Sequence, residues 1–148
     1  MRLAEEKART VAALHPGCFI LAADTVVACG RRILPKAESE AQARACLALL
    51  SGRRHRVHGG VCVLTPEGRV GKRVISTIVA FKTLTPGEVD AYIAGGEWHG
   101  KAGGYAIQGR AAVFVRHLSG SYANVVGLPV HEVHAMLEGL GYRRDGQS

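Results

Sequence analysis

Cys18-Phe19-Ile20-Leu21-Ala22-Ala23-Asp24-Thr25-Val26-Val27-Ala28-Cys29 is the stretch that decides the fold. All of it is apolar except Asp24 and Thr25. A run of this length and composition reads as a buried strand. On its upstream side, Met1 to Leu14 is rich in Ala, Glu and Lys and reads as a helix, with Leu3, Lys7, Val11 and Leu14 on one face. Pro16-Gly17 stops that helix before the strand begins. On the downstream side, Gly30 turns the chain, and Arg31 to Leu34 returns as a short strand.

Further along, helix and strand signals alternate. Ser39 and Gln42 have capping-box spacing and open a helix to about Ser51, which Gly52 ends. Val57 to Thr65 reads as a strand, Pro66-Glu67-Gly68 as a turn, and Val70 to Leu84 as a long returning strand. Thr85-Pro86-Gly87-Glu88 is a strong helix start: an N-cap, Pro at the first helical position and Glu at the third. That helix ends at Gly95-Gly96, and a glycine-rich stretch runs on through Gly109. Ala111 to Val115 reads as a strand, Ser119 to Gly127 as a loop, and Pro129 opens a last helix reaching about Leu137 to Leu140. The tail from Arg143 is polar and expected to fray. This order predicts a mixed α/β domain, a mixed twisted sheet flanked by helices. With no repeat, low-complexity tract or linker, residues 1–148 read as one domain.

Apolar residues make up 47% of the 148, but aromatics only 5%, so the core must rest on Val, Ile, Leu and Ala. Lys and Arg number 19 against 12 Asp and Glu, a balance that favours polyanionic partners, free nucleotides among them. The cations come in pairs such as Arg31-Arg32 and Arg53-Arg54, not in a basic tail. Cys18, Cys29 and Cys62 stand in strand-like runs and Cys46 in a helical one, the pattern of buried, reduced thiols. There is no signal-peptide pattern and no apolar stretch of about 18 residues, so a soluble cytoplasmic protein is expected.

Asp24 is the one charge between Cys18 and Cys29. A buried carboxylate is costly without a cation, a metal or hydrogen-bond donors. It is therefore expected at the exposed end of its strand, where it would hold Mg²⁺ or take a proton from water. Capping a turn or pairing with an arginine would explain it equally. A hairpin at Gly30 would bring Lys36 back towards Asp24, and a cation beside a carboxylate suits phosphate plus metal.

Two other patterns are decoys. Gly95 to Ala102 nearly spells a phosphate-binding loop, but Ala102 stands where Ser or Thr would hold Mg²⁺, and the segment follows a helix. His131-Glu132-Val133-His134 is one residue short of a zinc-protease motif and reads as a solvated helix face. His55 and His58, at odd spacing, should face opposite sides of a strand.

Several stretches together resemble the Maf family of nucleotide pyrophosphatases: Leu3-Ala4-Glu5-Glu6-Lys7-Ala8, Ala23-Asp24-Thr25-Val26-Val27, Leu49-Leu50-Ser51-Gly52-Arg53, Gly96-Glu97-Trp98 with Lys101 to Gly109, and Ser119 to Pro129. Their order and spacing match the family over nearly the whole chain. The resemblance implies two lobes around a cleft, a homodimer, and hydrolysis of nucleoside triphosphates to monophosphate and pyrophosphate with Mg²⁺ or Mn²⁺. It implies Asp24 as proton acceptor and metal ligand, Lys7 and Lys36 beside the phosphates, and Thr25 and Gln108 in base selection. Thr after the Asp, with Ala106-Ile107-Gln108-Gly109, is similar to the branch acting on dTTP and UTP.

The family pattern also opens with a strand and a Ser-x-Ser-Pro-Arg-Arg loop, whereas Met1 stands just before the Leu-Ala-Glu-Glu-Lys helix. The expectation is thus a domain lacking that N-terminal segment. Gly59 stands where the family commonly has Thr. A nucleotide- or RNA-binding module without turnover is the competing expectation, with no membrane partner in either case.

Overall fold

The computed structural model describes residues 2–142; the tail from Arg143 onward lies outside them. The elements are α1 (Arg2–Leu14), β1 (Ile20–Cys29), β2 (Arg32–Leu34), α2 (Glu40–Leu50), β3 (Arg54–Leu64), β4 (Val70–Phe81), α3 (Pro86–Gly95), a 3₁₀ turn (Arg110–Phe114), β5 (Val115–Ser119), α4 (Tyr122–Val126) and α5 (Val130–Gly139). The strands form one sheet in the order β2-β1-β3-β4-β5, with every neighbouring pair antiparallel. The α/β class with helices flanking the sheet is as expected.

Local chemistry explains most boundaries. Ser39 accepts from the Gln42 N–H at 3.2 Å, while the Gln42 side chain accepts from the Glu38 N–H rather than from its own cap. Thr85 and Glu88 complete a reciprocal capping box, with Pro86 just inside and Gly96 in the left-handed conformation at the end. Gly30, with φ of 60°, makes the β1–β2 hairpin.

Two layers of apolar packing sandwich the sheet. On one side Val27, Cys29, Val57, Val79 and Phe81 pack against α2, α3 and the glycine-rich segment. On the other, Ala4 and Ala8 of α1 pack against Ile20, Cys62 and Leu64.

Several expectations are corrected. The inward side of α1 is its alanines; Leu3, Val11 and Leu14 point to solvent, Leu14 at 74% exposure. Ala at those spacings lets the helix lie close on the sheet, which larger residues would prevent. β1 is half-buried, not buried throughout: Leu21 is exposed, and β2 pairs only with Val27 to Cys29. Ile20 to Val26 therefore has no partner strand on the side away from β3 among the described residues. Cys18 precedes the strand and is exposed; the other three thiols are free and buried. β3 begins at Arg54, three residues before the expected start, and β4 ends at Phe81.

The largest differences lie near the C-terminus. Ala111 to Phe114 forms a 3₁₀ turn instead of a strand, which buries Ala111 and Phe114 at the three-residue spacing where such turns eclipse. Ser119 to Gly127 is not a loop throughout: Ser121 caps a short helix by accepting from the Asn124 N–H at 3.0 Å.

Candidate active site

The open edge of β1 forms one wall of a cleft of about 260 Å³. Successive strand residues point to opposite faces. Where a strand lacks a neighbour, a cleft can reach both faces from the side. So Asp24 and Thr25, which face opposite ways, both line it, with Ala23 and Val27. Asp24 sits in mid-strand, opposite Gly60, and not at the strand's end as expected. Its side chain is only 14% exposed.

The cation that compensates this carboxylate is Lys7, whose Nζ donates to Oδ1 at 3.1 Å. Lys7 comes from α1, which lies over β1 and is also tied to β4 by Lys72 Nζ donating to Glu5 at 3.1 Å. The hydrogen bonds from Lys72 and Arg9 hold the Glu5 carboxyl below its usual range. Asp24 Oδ2 has no hydrogen-bond partner among the described residues and remains free to accept a proton or ligate a cation.

The facing wall is a doubled strip of backbone. Lys36 forms an isolated antiparallel bridge with Ala102. Gly100 N–H donates to Ala37 O at 2.8 Å, Ala37 N–H to Lys101 O at 3.0 Å, and Gly103 N–H to Pro35 O at 3.1 Å. Lys36, opposite Ala102, and Lys101, opposite Ala37, are thereby both brought into the cleft lining. Gly103 is required here: its φ is 71°, and a Cβ would meet Val27 Cγ1 at 3.0 Å.

Behind this wall lies a buried polar pair. His55 Nε2 is 2.6 Å from the Tyr105 hydroxyl, and both rings stack edge-on to Phe81. Burial pushes His55 down to about 4 and raises the Tyr105 phenol. His55 Nδ1 is buried without a hydrogen-bond partner among the described residues. Tyr105 lines the cleft, so this pair sets the position of its back wall.

The third side is the end of α4, with Val125, Val126 and Gly127. Asn124 latches α4 to the sheet: its Nδ2 lies 3.1 Å from Val57 O, 3.0 Å from Ile75 O and 3.1 Å from Thr77 Oγ1. A Cβ at Gly59 would fall 1.9 Å from Asn124 Oδ1, so the glycine makes room for the latch.

Of the residues expected from sequence, the cleft gathers Lys7, Asp24, Thr25 and Lys36. Gln108 is exposed and stands outside its lining, two residues beyond Ala106, which is in it. Lys101 and Tyr105 line the cleft without having been expected there. Lys101 belongs to the segment dismissed as a failed phosphate loop, and the pairing with Lys36 that places it is legible only in three dimensions. His55 and His58 do face opposite sides; His58 bonds Ser76 at 2.7 Å. His134 pairs with Glu138 on the exposed face of α5.

The family model for Maf-like proteins matches residues 1–140. The chain belongs to the Maf-like family. The Maf-like chain is 64% identical over 141 residues to a dTTP/UTP pyrophosphatase of Paramagnetospirillum magneticum, covering 95% of this chain and 74% of that one. It is 62% identical to one of Novosphingobium aromaticivorans, covering 95% and 70%. It is 59% identical to one of Caulobacter vibrioides, covering 97% and 74%. Among the described residues of the Maf-like chain, no helix is long and apolar enough to cross a membrane.

Proposed function

We propose that this chain hydrolyses nucleoside triphosphates, dTTP and UTP foremost, to the monophosphate and pyrophosphate. One observation carries the reading: a largely buried carboxylate, Asp24, shares one cleft with Lys7 and Lys36. The names of the relatives point to the same reaction. Attack on the α-phosphorus requires a water to lose a proton, and the bond to the α–β bridging oxygen to break with its electron pair leaving on pyrophosphate. Asp24 Oδ2 accepts the proton, while Lys7 holds Oδ1 and fixes the carboxylate's orientation. Lys36 offsets phosphate charge.

Among the described residues no cluster of three His, Cys, Asp or Glu could hold a metal. A single carboxylate together with substrate phosphates is the donor set Mg²⁺ commonly takes, so Asp24 fits a cation that arrives with the nucleotide. Bound there, Mg²⁺ or Mn²⁺ would neutralise charge developing on the phosphates. Thr25, in the lining, is assigned to base selection. Gln108, beyond the rim, is assigned to the base end, the part of the substrate furthest from the phosphates; its amide carries both donor and acceptor for a pyrimidine edge. A homodimer and a reducing, cytoplasmic setting, which suits three buried free thiols, belong to the same reading.

The test is pyrophosphate release from dTTP and UTP with Mg²⁺, for wild type and Asp24→Asn. We expect a loss of at least about a hundredfold in the variant. Turnover that survives the substitution overturns the assigned base. Saturable nucleotide binding without pyrophosphate release by the wild type would leave a binding module instead.

A further inference from the structure

The two walls of the cleft differ in charge balance. On the β1 wall, Lys7 and Asp24 neutralise each other at 3.1 Å. On the facing wall, Lys36 and Lys101 both line the cleft, and neither has an acidic partner among the described residues. Asp24 is the one carboxylate in the lining. The unbalanced positive charge of the cleft is therefore concentrated on one side, and the backbone bridge between residues 35–37 and 100–103 holds it there.

A triphosphate undergoing attack at its α-phosphorus is equally lopsided. The nucleoside monophosphate half keeps the lesser charge, and the departing pyrophosphate half takes the greater. We infer that Lys101, with Lys36, forms the subsite for the leaving pyrophosphate, opposite the Lys7–Asp24 pair that faces the α-phosphate. This rests on the proposed pyrophosphatase reaction. Lys101 then contributes to ground-state binding of the β- and γ-phosphates and receives the charge that builds on the leaving group. Lysine suits this role because a compact ammonium on a flexible stem follows the phosphate as it departs.

Lys101 can be told apart from a merely structural residue. Its contribution to the wall's architecture is backbone: its carbonyl accepts from the Ala37 and Gly104 N–H groups, and its N–H donates to Trp98 O. Its side chain is exposed and can be replaced without touching those bonds.

The experiment is calorimetric titration of pyrophosphate and, separately, of dTMP, each with Mg²⁺, into wild type, Lys101→Gln, Lys101→Arg and Lys36→Gln. Lys101→Gln and Lys36→Gln should each weaken pyrophosphate on the order of tenfold or more, the worth of a charged hydrogen bond. Binding of dTMP should stay within about twofold, and Lys101→Arg should keep most of the pyrophosphate affinity. Pyrophosphate affinity unchanged in Lys101→Gln, or an equal loss for pyrophosphate and dTMP, overturns the subsite. Titrations read binding and not turnover. A wild type that releases no pyrophosphate from dTTP would refute the proposed reaction, while an unselective Lys101→Gln in an active enzyme refutes only the subsite.

Discussion

Phe81, Tyr92, Tyr105 and Phe114 interlock at ring-centroid distances of 4.9 to 6.1 Å on one side of the sheet, with Val27, Val57 and Val79 beneath them. On the other side Ala4 and Ala8 rest directly on Ile20, Cys62 and Leu64. The first core is thick and directional, held by edge-on aromatic contacts. The second is thin, with little more than methyl groups between helix and sheet. Each core supports one wall of the cleft. The lysine strip of residues 35–37 and 100–103 stands on the aromatic core, and Lys7 rides on the alanine one. Few aromatics were available, and they are concentrated where the glycine-rich segment needs a rigid floor.

The contrast can be broken first at Phe81. Phe81→Ala should cost about 3–5 kcal/mol, the usual loss for a large buried aromatic, measured by urea unfolding. A loss below about 1 kcal/mol would mean that the aromatic side is not the stronger core.

The next effect is pH-dependent. His55 has a folded-state value of about 4 against an ordinary 6.5, because burial disfavours its charged form. Above pH 6.5 the ring is neutral in both states, so the stability it permits is fully present there. As pH falls from 6.5 towards 4, the unfolded chain takes up a proton that the folded chain refuses. Stability should then fall by about 1.4 kcal/mol per pH unit, to a total of about 3 kcal/mol. Urea midpoints at several pH values should show this slope in wild type and a flatter one in His55→Gln. Equal slopes would refute the assignment.

The smallest effects probe α1. Ala8→Leu should overpack the thin core by about 1–3 kcal/mol and lower kcat/KM as well, because the helix that lifts carries Lys7. Val11→Ser, on the outward side, should change stability by no more than about 0.5 kcal/mol. If Val11→Ser proved the more damaging, the face assignment of α1 would be reversed.

Much of the fold was readable without coordinates because its signals are local. Caps at Ser39 and Thr85, the turn at Gly30 and the alternation of strand residues each act within a few positions. Sequence and structure part where a local pattern has two solutions. Leu3, Val11 and Leu14 share one face and Ala4 and Ala8 another, and it is the small residues that turn inward where the helix lies close on the sheet. The Ala111–Phe114 run was apolar enough for a strand, and only the pocket awaiting Phe114 selects the 3₁₀ turn. Of the cleft lining, Asp24 was legible as a carboxylate in an apolar run that demanded a partner, Lys36 through the hairpin at Gly30, and Lys7 and Thr25 by resemblance. Lys101, Tyr105 and the latch at Asn124 carried no comparable local signal.

By itself, then, the order of residues determined the α/β class, the starts of α2, α3 and α5 and the need to compensate one buried charge, because propensity, capping and desolvation act on neighbours along the chain. Only the tertiary structure decided that Lys7 is that compensating group, that Ile20 to Val26 has no second partner strand among the described residues, and that Lys36 and Lys101 line one cleft. These are meetings between segments 17 to about 66 residues apart, as Lys7 with Asp24 and Lys36 with Ala102. No local preference encodes such a meeting; it is set by which faces must pack together to exclude water.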